Sequence, residues 1–225
     1  MKAFLALIKK DLALEFRTKE TLAVMLFLSL LCGAILSFGM QTTFLPDDAA
    51  RKLFPVFIWF LCVLTAAVSV GRTYEYELQH GALDGVILTG VDPALLFLAK
   101  TCSTAILIFI GQVCSIIALA VLLNVSLFEV WLPLFVITAV VVVGYAALAT
   151  MMAAMASTSK LRALLLPLIL LPLLTPLFLA AVELSANLFA SGALAYSSTW
   201  FSLLIGLDLL YVVLGINLYE YVIKD

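Results

Sequence analysis

The stretch Arg72-Thr-Tyr-Glu-Tyr-Glu-Leu-Gln-His-Gly-Ala-Leu-Asp-Gly-Val-Ile-Leu-Thr-Gly-Val-Asp92 separates two long apolar runs. It holds four acids (Glu75, Glu77, Asp84 and Asp92), Arg72, and His80, the only histidine of the chain. Such a density of charge must lie in water. The stretch also has a pattern of its own. Leu83, Val86 and Ile87 follow i, i+3, i+4 spacing, which predicts a short helix with one apolar face. Gly90 supplies a helix stop, and Asp92-Pro93 reads as an N-cap and first helical residue for the next segment. A short amphipathic helix at the mouth of an apolar bundle predicts a contact surface for a soluble partner.

The surroundings are more apolar than any soluble domain. Of the 225 residues, 65% are hydrophobic and only 12% charged, and the mean hydropathy is +1.24. A soluble domain needs roughly 25% charged residues to cover its surface. The chain is therefore an integral membrane protein. Its net charge of −2 comes with no basic stripe, which excludes a nucleic-acid partner. The N-terminus is not a cleavable signal, because Lys9, Lys10, Asp11, Glu15, Arg17, Lys19 and Glu20 interrupt its apolar run. Cys32, Cys62, Cys102 and Cys114 lie in apolar segments without CxxC spacing, as buried hydrophobes rather than disulfide or metal partners.

Residues 2–20 open the chain with Leu5, Ile8, Leu12 and Phe16 at helical spacing and most charges elsewhere on the wheel. That pattern predicts a helix lying in the headgroup plane. Six apolar segments follow, at about 22–40, 53–71, 94–123, 131–156, 163–183 and 200–219, each near the roughly 20 residues that a spanning helix needs. Lys and Arg set the orientation. With Lys2, Lys9, Lys10, Arg17 and Lys19 in the cytoplasm, Arg72, Lys100, Lys160, Arg162 and Lys224 fall on the same side. Only Arg51 and Lys52 lie outside, so ten of the twelve cations obey the rule and both termini are predicted cytoplasmic. Residues 72–92 become a cytoplasmic coupling segment.

The first outer loop, about 41–52, is polar, and the second, about 124–130, is little more than a turn. The third, about 184–199, lacks Lys and Arg, and with Leu188 and Phe189 it is a candidate re-entrant or interfacial piece. Pro167, Pro172 and Pro176 stand in the fifth apolar run, where each removes a hydrogen bond and predicts a broken or kinked helix.

Five stretches together resemble the CcmB family, the membrane-spanning B subunit of the haem-handling ABC transporter of cytochrome c maturation. They are Lys10-Asp-Leu-Ala-Leu-Glu-Phe-Arg17 with Thr18-Lys-Glu20; Phe54-Pro-Val-Phe-Ile-Trp59; Glu77-Leu-Gln-His-Gly-Ala-Leu-Asp84 through Asp92-Pro93 and Lys100; Pro167 through Pro176; and Asp208-Leu-Leu-Tyr-Val-Val-Leu-Gly215 to Tyr219-Glu-Tyr221. The resemblance implies an all-α, ABC-2-type permease in one transmembrane domain. An N-terminal interfacial helix would lead into six spanning helices, and the loop between the second and third would form a coupling helix on an ATPase. It further implies an inner-membrane location and partners: the ATPase A subunit, a haem-handling C subunit and a small D subunit. A second copy of the chain is a further candidate partner. Haem is the implied substrate, and no cofactor is implied for this chain itself. A different ABC-2-type exporter and a secondary carrier remain as alternatives.

The residues agree with a non-catalytic subunit. No G-x-x-x-x-G-K-[ST] loop occurs, so ATP must be handled by a partner. Leu83, Val86, Ile87 and Leu88, with Glu77 and Asp84 beside them, are the candidate docking face. His80 falls on the cytoplasmic side and reads as an interface residue rather than a haem ligand. Trp131 and Trp200 read as interfacial anchors. Ser157-Thr-Ser-Lys-Leu-Arg162 is a second candidate ATPase contact. Asp208 is the most unusual charge, some eight residues into the sixth segment. A carboxylate at mid-bilayer costs on the order of 3 kcal/mol, so it must face protein or a wet cavity. Gly206 and Gly215 on that segment predict close helix approach. No nucleophile–base pair, metal cluster or paired carboxylate points to covalent catalysis.

Overall fold

The computed structural model describes residues 2–42, 49–79, 92–157, 162–194, 196 and 198–224. Among them are seven helices and no strand: α1 (Lys2–Thr18), α2 (Glu20–Thr42), α3 (Ala49–Gln79), α4 (Pro93–Leu122), α5 (Trp131–Ser157), α6 (Arg162–Ser191) and α7 (Thr199–Lys224). Helices α2 to α7 are each long and apolar enough to cross a membrane. Their backbone groups are satisfied within the helix, which is the condition for spanning hydrocarbon.

Helix α5 is the centre of the bundle, packed on α4, α6 and α7 and touching α3. Its composition explains that position. Gly144, Ala146, Ala147, Ala149, Ala153 and Ala154 are all buried. Lipid tails are as apolar as leucine, so helices associate in a membrane by close packing, and small residues permit it. Helix α2 is the opposite case. Phe27, Leu30, Leu31, Ile35 and Phe38 are exposed, while Ser29, Gly33 and Ser37, four residues apart, face α4. Ser29 and Ser115 share a hydrogen bond of 2.5 Å, and Ser37 Oγ donates to Leu122 O at 2.9 Å. Gly33 leaves room for the Leu122 and Leu119 side chains, and Gly111 on α4 for Met25.

Several boundaries differ from the sequence expectation. Arg51 and Lys52 belong to the first turn of α3, not to a loop. Helix α3 then runs 31 residues to Gln79, about 46 Å at 1.5 Å per residue. That exceeds a hydrocarbon core of about 30 Å, so a helix of this length projects beyond it. Asp92 caps α4 as expected, its Oδ1 accepting from Ala94 N at 3.0 Å with Pro93 in the first turn. Helix α6 continues through Pro167, Pro172 and Pro176 to Ser191, so the prolines do not break it. It also absorbs the first half of the expected third outer loop. Leu188 and Phe189 are buried core residues of this helix and not an interfacial piece. The polar residues here serve the helix: Asn187 Nδ2 donates to Glu183 O at 2.9 Å, and Ser191 Oγ to Asn187 O at 2.8 Å.

Candidate functional site

The candidate docking face is the less described of two candidate regions. Glu77 stands on the last turns of α3. Leu83, Asp84, Val86, Ile87 and Leu88, with His80 and Gly90, lie outside the described residues. What is described is the frame: the polar stretch starts as a continuation of α3 and ends at the capped start of α4.

Helix α1 packs on α4 close to that start. Asp11 and Glu15, one turn apart, turn toward the bundle, and Glu15 is only 5% exposed. Ser103 Oγ donates to Asp11 Oδ2 at 3.1 Å, and Lys10 Nζ pairs with Asp11 Oδ1 at 3.1 Å. Lys100, Thr101, Ser103 and Thr104 form the matching buried polar face of α4. Leu5 and Phe16 point outward instead. Leu5 and Phe16 are thus free to meet lipid, Ile8 and Leu12 are half-buried, and Asp11 ties α1 to α4. Lys19, with φ of 55°, makes the turn into α2. The sequence analysis singled out the apolar stripe and missed this polar one, although the i, i+4 acids were visible.

Asp208 occupies the second region. Leu204, Asp208, Tyr211, Gly215 and Tyr219 recur at three- and four-residue spacing and form the inward face of α7. Leu209, Leu210, Val213 and Leu214 face outward. Asp208 is 8% exposed. Its carboxylate lies against the backbone of Gly144 on α5, so closely that a Cβ there would collide with Oδ1. The Leu177 side chain of α6 closes the third side. Oδ1 has no hydrogen-bond partner, and no cation pairs with Asp208 among the described residues. One turn on, Tyr211 Oη donates to Leu173 O of α6 at 2.6 Å, in the turn ahead of Pro176. Tyr145, beside Gly144, is fully buried and its hydroxyl also lacks a partner.

The two glycines expected to allow close approach differ. The Phe97 ring of α4 fills the space at Gly215, whereas nothing lies near Gly206. The Phe97 ring also meets Tyr219, with centroids 5.3 Å apart. Trp131 and Trp200 stand exposed in the first turns of α5 and α7, and Glu129 and Glu183 are exposed. Trp59, not singled out by the sequence analysis, is buried and donates from Nε1 to Ser185 Oγ at 2.9 Å. Gln112, fully buried, donates to Ile58 O at 2.9 Å and ties α4 to α3. The arrangement holds helices together and aligns a carboxyl within the membrane.

A sequence-family profile described as "CcmB protein" matches residues 2–218. No curated protein matches the chain.

Proposed function

The chain belongs to the CcmB family, and from that premise we propose that it converts the ATPase cycle of a partner into movement of its own helices. Membership implies a permease component of a haem-exporting ABC transporter, with an ATPase partner, in the maturation of c-type cytochromes. The finer reading has four parts. The chain sits in the inner membrane with both termini cytoplasmic. ATP hydrolysis resides in the A subunit. The C and D subunits complete the assembly. The segment around 82–90 docks on the ATPase through Leu83, Val86, Ile87 and Leu88, with Glu77 and Asp84 beside them.

One observation carries this reading: the family match spans nearly the whole of a chain with six long apolar helices and no phosphate-binding loop. Two features support the docking segment. Helix α3 extends past the apolar core toward it, and α4 restarts at a capped Asp92. A push on the segment would therefore be delivered to two helices at once. Helix α4 packs on α5, the centre of the bundle. Rigid helices meeting in a packed core shift between discrete arrangements rather than bend continuously.

The test is co-purification. Leu83→Asp together with Ile87→Asp is expected to abolish pull-down of the ATPase while the chain still accumulates in the membrane. Retained pull-down of the folded double variant would refute the docking face. Haem movement is tested separately, in liposomes carrying the chain and its ATPase with and without the C subunit. Stimulated ATPase activity without haem movement would assign the work to release of a haem-loaded chaperone.

A further inference from the structure

The seam of α5, α6 and α7 encloses a carboxyl at membrane depth. Asp208 lies at the middle of the apolar span Thr199–Tyr219. At 1.5 Å per residue it is about 14 Å from Thr199, near the centre of a hydrocarbon core of about 30 Å. The residue is 8% exposed, and its Oδ1 is shut off from water with no hydrogen-bond partner. Gly144 and Leu177 close around that oxygen.

The helices packed on α7 bring it no counter-charge. Helix α5 has one titratable residue, Tyr145, which is buried, stacks on Phe178 and leaves its own hydroxyl without a partner. Helix α6 has Arg162, about four turns before Leu177, and Glu183, nearly two turns after it and exposed. Helix α4 has Lys100, Cys102 and Cys114. Lys100 is buried, but no ion pair joins it to Asp208 among the described residues. On α7 itself, Tyr211 gives its hydroxyl proton to Leu173 O at 2.6 Å. Tyr219, about three turns on, meets the Phe97 ring, and Glu220, Tyr221 and Lys224 follow it at the end of the helix.

A carboxylate buried without a partner costs so much that such a group takes up a proton instead. The neutral acid fits the seam as it stands. The ionised acid needs water at Oδ1, and water reaches that oxygen only when α7 moves off α5. The two protonation states therefore belong to two arrangements of the helices.

We propose that Asp208 is a proton-binding site within the membrane, and that its occupancy is tied to closure of the α5–α7 seam. The proton comes from water as the seam closes and returns to water as it opens. The closed seam binds it more tightly than the open one, so acid favours closure and alkali favours opening. A helix movement driven by a partner's ATPase would carry one proton on and off Asp208 in each cycle. The site itself rests on the fold and is independent of the docking assignment at 82–90.

The experiment is infrared difference spectroscopy on the purified full chain in lipid nanodiscs. At neutral pH the wild type is expected to show the carbonyl band of one neutral carboxylic acid, and Asp208→Asn to lose that band. Asp208→Ser, smaller and uncharged, makes the same subtraction if the Asn variant does not fold. A wild type without the band, or a band that survives removal of the carboxyl, overturns the proposal. The coupling is read as thermal stability across pH, wild type against the folded variant. Relative to the variant, the wild type is expected to lose up to about tenfold in its folding equilibrium for each unit of rising pH. A purely structural role for the side chain would give a difference that does not change with pH, and that result also overturns the proposal.

Discussion

Helix α6 has two neighbours that treat it in opposite ways. On one side it closes the seam of α5 and α7, where Leu177 meets Gly144 and Asp208 and where Tyr211 reaches Leu173 O. On the other it stands against α3, where Trp59, Phe60, Phe178 and Leu179 hold the helices apart and leave a groove. The seam is tight because glycine gives it room, and it contains a carboxyl. The groove is open because aromatic and branched residues face each other, and the charges on the α3–α6 side stand only at one end. In lipid no hydrophobic force presses helices together, so residue size decides which pairs close. Polar groups follow a similar division: within the bundle they lie where backbones are near, whereas along the α3–α6 side the charges stand at one end and the Thr175 hydroxyl bonds back to its own helix.

The largest effect is expected where the seam is tightest. A Cβ at Gly144 would collide with Asp208 Oδ1 and approach Leu177 Cδ1 to 2.9 Å. Neither neighbour has a free side to move into, because Asp208 and Leu177 are both buried. Gly144→Ala is expected to cost about 1–3 kcal/mol, as overpacking does in a filled core, and Gly144→Leu is expected to prevent folding. Yield of monodisperse protein and thermal stability in detergent measure both. Asp208→Ala in the Gly144→Ala background would recover part of the loss, since the two groups compete for one space. A double-mutant cycle with no coupling between them would show that the tightness of the seam does not depend on that contact.

Asp208→Asn sharpens the comparison on its functional side. It keeps the shape of the side chain and removes the ability to carry negative charge. If the seam is only a packing device, the chain will assemble with its ATPase and support cytochrome c production as before. A loss of production with assembly intact would give the carboxyl itself a part in the helix movement. Cytochrome c yield set against pull-down of the ATPase separates the two outcomes.

The sequence made the spans legible because hydropathy and length act locally, and the cap at Asp92-Pro93 because capping is read from neighbours. Asp208 was legible as a charge out of place. Its partner was not: Gly144 is one of 11 glycines, and nothing local says which glycine meets a carboxyl 64 positions away. Nor did the pattern reveal that α6 reaches Ser191. Glu183, Ser185 and Asn187 lower the hydropathy there, yet Ser185 faces Trp59 and Asn187 bonds back to Glu183 O, so both fit a helix. The Ser29, Gly33 and Ser37 stripe was present in the sequence, but a run apolar on every side shows no moment to mark it. The candidate docking residues read as an amphipathic turn in the sequence, and Leu83 through Leu88 lie outside the described residues.

The smallest effect belongs to the boundary between seam and groove. Trp59 lines the groove with its ring, but its Nε1 turns inward to Ser185 Oγ, and both residues are buried. Trp59→Phe removes that hydrogen bond and part of the ring. Polar pairs between membrane helices average only about 0.6 kcal/mol, because the separated helices also find partners. The variant is therefore expected to fold and to lose about 1 kcal/mol in all, measured as a small shift in detergent stability. Ser185→Ala should reproduce most of it, since either change deletes the same bond. A loss as large as that of Gly144→Ala would mean that the α3–α6 contact is closed by this one bond. The groove would then owe its opening to something other than the size of the residues that face each other across it.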